Sequence, residues 1–416
     1  MDVRNKRFPT IENSVLPIPR WEFIAMMAAI WGLQAMAVDI MLPALEIIAN
    51  QYTIQNPNDQ QLIIFAFVLG FGAPQLIFGP ISDRFGRKIL LQFSIMGYCL
   101  TSFACMIAPS FGSLLIFRIA QGICCAGTRV AAGSIIRDLT KGRSMASILS
   151  LVYTVFMIVP ILAPAIGTAI TTIADWTWIF GFLGIISAPL FIWIQLRLPR
   201  TLKESDRRPI SAKQIFESFK TLATHRITAG YMLASGLIFG SLFAFLGASE
   251  QVFDDVFGRG DAFYLYFAGI AGLLAVMNYF NSRFVGQFGM RRISHVVVLI
   301  FITLSLINFL YMHFLGQNFW VFYILFVFTF GCFGMLGANF SSLALEYMGH
   351  IAGTANAVYG FLTLTLSSFI GFLVARSFDG TVRPLLISYV ILGIACLCVI
   401  LITERGRLFE VGEGKS

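Results

Sequence analysis

The sequence predicts an all-α membrane protein with twelve transmembrane helices in two six-helix halves. Three observations lead there. The 416-residue chain is 57% hydrophobic and only 12% charged, whereas a soluble protein carries roughly 25% charged residues. Its apolar residues gather in runs of the length, about 20 residues, that a helix needs to cross a bilayer. Its Lys and Arg residues fall almost entirely on alternate connections between those runs.

The runs cover 22–48, 60–80, 89–108, 112–135, 145–170, 177–196, 227–248, 262–281, 294–314, 319–340, 353–375 and 384–403. Helices are required, because unpaired strands would leave backbone groups unsatisfied in lipid. The first run is too long for a cleavable leader and is read as a retained span. With the N-terminus placed inside, 24 of the 29 basic residues lie on the cytoplasmic side and 3 on the other, and Arg118 and Arg129 lie within spans. That asymmetry orients both termini to the cytoplasm. It also accounts for the formal charge of +8 without nucleic acid, so the partners expected are lipid and a small molecule.

The longest polar break, 197–226, divides the chain into residues 1–196, a cytoplasmic linker, and residues 227–416. Within it, "SAKQIFESFKTL" suits a short amphipathic helix on the membrane surface. Six spans, a basic linker and six more spans is a layout of transporters built from repeats. A faint repeat is visible: "NSRFVGQFGMRR" in the second half echoes "GPISDRFGRK" in the first.

Several features argue against other functions. The seven cysteines, at 99, 105, 124, 125, 332, 396 and 398, all sit in apolar runs and read as packing residues. His225, His295, His313 and His350 lie near span ends with no metal-ligand spacing. No P-loop is present, so no nucleotide, metal or other cofactor is expected. No soluble segment is large enough to hold an enzyme site or a receptor domain.

Charge inside the membrane is expensive and needs a reason. Asp39 is the one acid deep in an apolar run, about 10 Å inside the outer boundary by helix rise. Arg118 lies about 9 Å in from the same side, so an Asp39–Arg118 pair is expected. Positions 118, 122, 125 and 129 share one face of the fourth span, which Gly122 opens for close approach or for substrate. The residues leave two readings: a static ion pair, or proton exchange at Asp39 biased by Arg118. Tyr153, Met157, Pro160 and Pro164 form a stripe on the fifth span, and Ser235, Phe239, Phe243 and Leu246 another on the seventh. Each stripe is either helix packing or a ligand wall. The candidate cavity comprises Trp31, Met36, Gly122, Arg129, Tyr153, Met157, Phe239 and Phe243.

The loop "GPISDRFGRK" resembles the signature of the major facilitator superfamily, G-x-x-x-D-R-x-G-R-[RK], through Gly79, Asp83, Arg84, Gly86, Arg87 and Lys88. "AVDIMLPALEIIA" (37–49) resembles the first-span motif of the Bcr/CflA drug exporters. "LIFRIAQGICCAG" (115–127) is similar to the R-x-x-Q-G motif of span 4, and "IVPILAPAIGTAI" (158–170) to the antiporter motif of span 5, with Ala163 and Thr168 in place of common glycines. Where some relatives carry a second acid in span 1, this chain has Trp31. The resemblance implies a monomeric, proton-coupled antiporter of the bacterial inner membrane that exports amphipathic compounds. It implies proton exchange at Asp39 with Arg118 beside it. It also implies a latch in which Arg87 pairs with Asp138 and Asp83 caps the start of span 11 near Gly353 and Thr354. A carrier specific for one metabolite is the alternative, although the second half offers only Asn278, Asn308, Asn339 and Asn356 as clear amides. A membrane receptor or scaffold is more remote.

Overall fold

A computed structural model describes residues 18–140, 142–202, 212–348 and 352–409, with some helix side chains, those of Tyr153, Met157, Gly353 and Thr354 among them, outside the described residues. The chain is all-α. In order, the helices are α1 Arg20–Asp39, α2 Leu45–Gln51, α3 Leu62–Gly72, α4 Gln75–Phe85, α5 Arg87–Met106, α6 Phe111–Leu139, α7 Gly142–Ile173, α8 Thr177–Arg197, α9 Ala212–Thr224, α10 Arg226–Gln251, α11 Phe263–Phe288, α12 Met290–Phe314, α13 Phe319–Leu345, α14 Ala352–Arg376 and α15 Arg383–Thr403. Among the described residues, ten helices are long and apolar enough to cross a membrane. This is a multi-pass membrane protein.

The breaks have local causes. α1 and α2 belong to one 32-residue apolar stretch, interrupted where Pro43 denies the Asp39 carbonyl a donor. A 3₁₀ turn, Leu42–Ala44, bridges the gap. α3 and α4 meet at a 43° bend, and Pro74 sits at that joint. Pro80, expected to help end the span, lies instead inside α4. In α7, with Pro160 and Pro164 inside it, the described apolar part is Ile158–Ile173.

Small residues set the helix spacing. A Cβ built on Gly70 would lie 2.1 Å from the Ile119 carbonyl oxygen, and one on Gly122 2.1 Å from that of Phe67. α3 and α6 therefore touch backbone to backbone. Gly122, open in the sequence to either reading, is a packing residue and does not line a cavity. α10 packs on α14 in the same way: Gly236 and Gly240 meet Leu366 and Ile370, and Gly371 meets Phe243. That contact buries Phe243 between two helices, which removes it from the cavity set.

The halves of the chain meet through α7 with α11 and through α14 with α3 and α4. At one face this contact is a polar clasp. Asn58 donates to the Arg376 and Phe378 carbonyls at 3.0 and 2.9 Å. Gln61 donates to Gln251 at 2.7 Å and to the Ala375 carbonyl at 3.0 Å, and Gln251 donates back to Asn58 at 3.0 Å. Beneath it Phe65 meets Phe372 edge-on at 5.6 Å.

The α3–α6 contact generates a prediction. Gly122→Ala puts a methyl onto a backbone carbonyl and should cost about 1–3 kcal/mol. Gly133→Ala, where a Cβ meets nothing within 4 Å, should be neutral. Thermal unfolding in detergent compares the two, and equal midpoints would show that the α3–α6 crossing is not tight.

Candidate functional site

The site begins at the end of α1. The last four carbonyls of a helix need partners from outside it, and in α1 that of Ala37 is one of them. Arg118 of α6 fills that role. Its guanidinium donates through Nη2 to the Ala37 carbonyl at 3.1 Å, through Nε to the Ile63 carbonyl at 3.1 Å and through Nη1 to Gln121 Oε1 at 2.6 Å. Phe67 and Phe180 lie against it, with Cζ 4.5 and 5.7 Å from the ring centres. Gln121 in turn donates to Ser102 at 2.8 Å, and Ser102 to the Tyr98 carbonyl at 2.7 Å. Arg118 is fully buried.

The expected Asp39–Arg118 ion pair is absent. The depth match holds, since Arg118 reaches a carbonyl two residues before Asp39, but its donors are engaged by neutral acceptors. Asp39, 6% exposed, is the last residue of α1. Among the described residues no cation pairs with it. Behind the break lies α7, where a Cβ on Gly167 would fall 2.0 Å from the Ile40 carbonyl oxygen and 3.1 Å from the Pro43 ring. Gly167 thus lets the fifth-span motif close against the first-span motif.

Deeper along the same helices, Arg129 lies against Trp31 and Phe71, with Cζ 5.6 and 5.8 Å from the ring centres. Gln34 donates to Thr128 at 3.1 Å. Met36 is partly buried, and Trp31 meets Phe156 edge-on at 6.4 Å. From the second half, Phe239 packs on Phe333 at 6.2 Å, and Ser235 shares a 2.9 Å hydrogen bond with Tyr359. The side chains of Tyr153 and Met157 lie outside the described residues.

In the signature loop, Gly86 joins α4 to α5 with φ +105°, a conformation that glycine adopts without strain. Gly79 has open space around it, so no close approach depends on it. Arg87 pairs with Asp138 at 2.9 Å and with Asp83 at 2.8 Å. Asp83 is thus held by its own loop, and Gly353 and Thr354, its expected partners, lie outside the described side chains. Lys88 donates to the Gln195 carbonyl at 3.0 Å, and Arg84 is exposed beside Phe85. The second half repeats the device. Gly289 turns with φ +77°, and Arg291 pairs with Glu346 at 2.8 Å and Glu404 at 3.0 Å.

Sequence reasoning missed the clasp, because Asn58, Gln60, Gln61 and Gln251 read as ordinary polar span ends. It also missed that Glu46, Glu250 and Asp254 converge there, their carboxylate oxygens within 4.8 Å of one another. Nothing in their spacing signals it.

These features, a broken first helix, a buried arginine on α6 and paired signature loops, define a membrane carrier. Residues 27–372 match the Major Facilitator Superfamily, and the chain belongs to that family of transporters; it is not an enzyme. It is similar to a bicyclomycin resistance protein homolog of Haemophilus influenzae, 29% identical over 88% of this chain and 91% of the relative. It is also similar to the uncharacterized MFS-type transporter YdgK of Bacillus subtilis, 30% identical over 85% and 87%. The crystal structure of a D-xylose-proton symporter superposes with a TM-score of 0.75 at 15% identity, covering 95% of this chain and 99% of that one. This last likeness concerns the fold.

Arg118→Lys tests the clamp. An ammonium cannot reproduce the planar fork, so the variant should lose about 1.5–3 kcal/mol for each charged hydrogen bond given up. Its unfolding midpoint should fall while the pH dependence of transport stays in place. A wild-type midpoint would mean that the three acceptors do not hold the break.

Proposed function

We propose that this protein is a proton-coupled secondary transporter that exports small amphipathic compounds by alternating access. Twelve spans form two six-helix halves, residues 1–196 and 227–416, joined by the linker 197–226. The two crossings beyond the ten long helices are the bent pair α3–α4 and the proline-containing α7. Both termini are cytoplasmic, in the inner membrane of a bacterium, and the working unit is a monomer. The similarity to a bicyclomycin resistance protein homolog supports drug efflux as the role.

One observation carries the reading: a buried acid stands at a helix break with no described cation beside it. Such a carboxyl can change protonation as its surroundings alternate between apolar and watery. Asp39 lies about 29 Å along the helix from Arg20, on the side of the clasp. With the termini inside, the clasp closes the outer face and this is an inward-facing arrangement. Opening the clasp would bring outside water to Asp39, so the proton enters as the exported compound leaves. Within each half, the Arg87–Asp138 and Arg291–Glu346 pairs tie the signature loops to the inner ends of α6 and α13. The latch acts where these bundles come together in the outward-facing state.

Asp39→Asn should insert and fold, since removing a deep charge lowers the insertion cost. In proteoliposomes it should still exchange substrate down a gradient and should lose uphill export driven by a pH gradient. Concentrative export by the variant would exclude Asp39 as the coupling residue. Orientation is tested separately by reporter fusions: one after Arg208 should report the cytoplasm and one at Asp254 the outside. Both reporting the same side would break the twelve-span topology.

A further inference from the structure

Two arginines lie within the membrane, and their settings are opposite. Arg118 is sealed from solvent, and each of its three nitrogens donates to an acceptor. Arg129 is half-buried. Its described neighbours are the rings of Trp31 and Phe71, and among the described residues no carboxylate or carbonyl takes its N–H groups. A guanidinium meets aromatic rings with its flat face, whereas its donors radiate from the edge in a fork that matches a carboxylate. The rings hold Arg129 by cation–π contact and offer its N–H donors no oxygen acceptor. A charge at this depth, about 15 Å from the inner end of α6, is costly unless an anion compensates it.

A second group points to the same place. Gln34 lies one turn beyond Trp31 on α1, is 4% exposed, and donates to Thr128, the neighbour of Arg129. Its Oε1 is buried and has no hydrogen-bond partner among the described residues. An unmet acceptor in a buried setting costs about 1–3 kcal/mol. Donors without an acceptor and an acceptor without a donor thus lie within one helical turn, flanked by aromatic surface.

We propose that Arg129 is the anion-recognising residue of the transport site. The compounds preferred carry a carboxylate on an aromatic or aliphatic body, with an N–H or O–H donor nearby for Gln34. The carboxylate takes the edge of Arg129, and the body lies along Trp31 and Phe71. This rests on the transport reading above and narrows its substrate class. Arg118, fully buried and held by three acceptors, is closed to such a ligand.

The test is equilibrium binding to the purified full-length protein, without a pH gradient. Three fluorescent probes share one body: dansylglycine (anionic, with an N–H), dansylamide (neutral) and dansylcadaverine (cationic). The wild type should prefer dansylglycine over the other two by about tenfold, as expected for one charge-assisted contact. Arg129→Gln should bind all three alike, with dansylamide affinity unchanged as the control for folding. Arg129→Lys keeps the charge but not the fork, and it should show a preference reduced at least threefold; it serves as the second variant if Gln at this depth impairs folding. A wild type that does not discriminate, or either variant retaining the full preference, overturns the proposal. Because no gradient is used, the anion preference can fail while Asp39-dependent export stands, and the reverse.

Discussion

Arg118 holding the broken first span is the contact on which the rest of this site depends. Pro43 interrupts the helix, and the interruption leaves backbone carbonyls facing low dielectric. Each such group left alone costs about 1–3 kcal/mol, and the negative end of a helix attracts a cation. One guanidinium answers both needs, binding Ala37 of α1 and Ile63 of α3 from its place on α6. It joins three helices through neutral oxygens. Had a carboxylate been recruited to balance it, Asp39 would have been that carboxylate. Because the balance is struck with carbonyls, an amide and two aromatic faces, Asp39 is left without a cation among the described residues.

The clamp works only because α3 and α6 come close. The crossing uses Gly70 and Gly122, each with a carbonyl of the other helix where a side chain would begin. Arg118 stands one turn from Gly122, so the glycine brings Ile63 within its reach. The R-x-x-Q-G spacing is thereby intelligible as one device: Arg118 grips, Gln121 orients it by accepting at 2.6 Å, and Gly122 removes the bulk that would keep them apart.

Much of this was legible in the sequence, and the failures share a cause. Helix rise gave the common depth of Asp39 and Arg118. Depth does not say which way a side chain leaves its helix, and Arg118 turned to the backbone. The same gap misplaced Phe243, which packs against Gly371 of α14. Pro80 was read as a terminator, whereas the bend belongs to Pro74, because a proline inside a helix can be tolerated once its neighbours pack around it. The echo of the signature loop was legible through Gly289, since a turn with positive φ keeps its glycine after its charges drift. The clasp was not legible. Asn58, Gln61 and Gln251 are separated by up to 193 residues in the chain, and polar residues at span ends are ordinary taken one at a time.

The clasp and the loops differ in a way that bears on the cycle. The clasp joins the halves of the chain mainly by hydrogen bonds between neutral groups, each with a net worth of about 0.5–1.5 kcal/mol, with one long, partly exposed Arg376–Asp59 pair at 3.7 Å beside them. Together they amount to a few kcal/mol, the size of bias that moves a two-state equilibrium from one side to the other without locking it, since about 5.5 kcal/mol spans 1:99 to 99:1. Arg87 with Asp138, and Arg291 with Glu346 and Glu404, lie within a half, where charged pairs keep the ends of their own bundle together. Strong contacts thus preserve each bundle, and modest, mostly uncharged ones decide which face is shut. Glu46, Glu250 and Asp254 add to that balance: closing the clasp draws carboxylates from both halves of the chain together, and their mutual repulsion opposes the amide contacts beside them. The closed face is therefore held by a difference of small terms, which substrate binding can overcome.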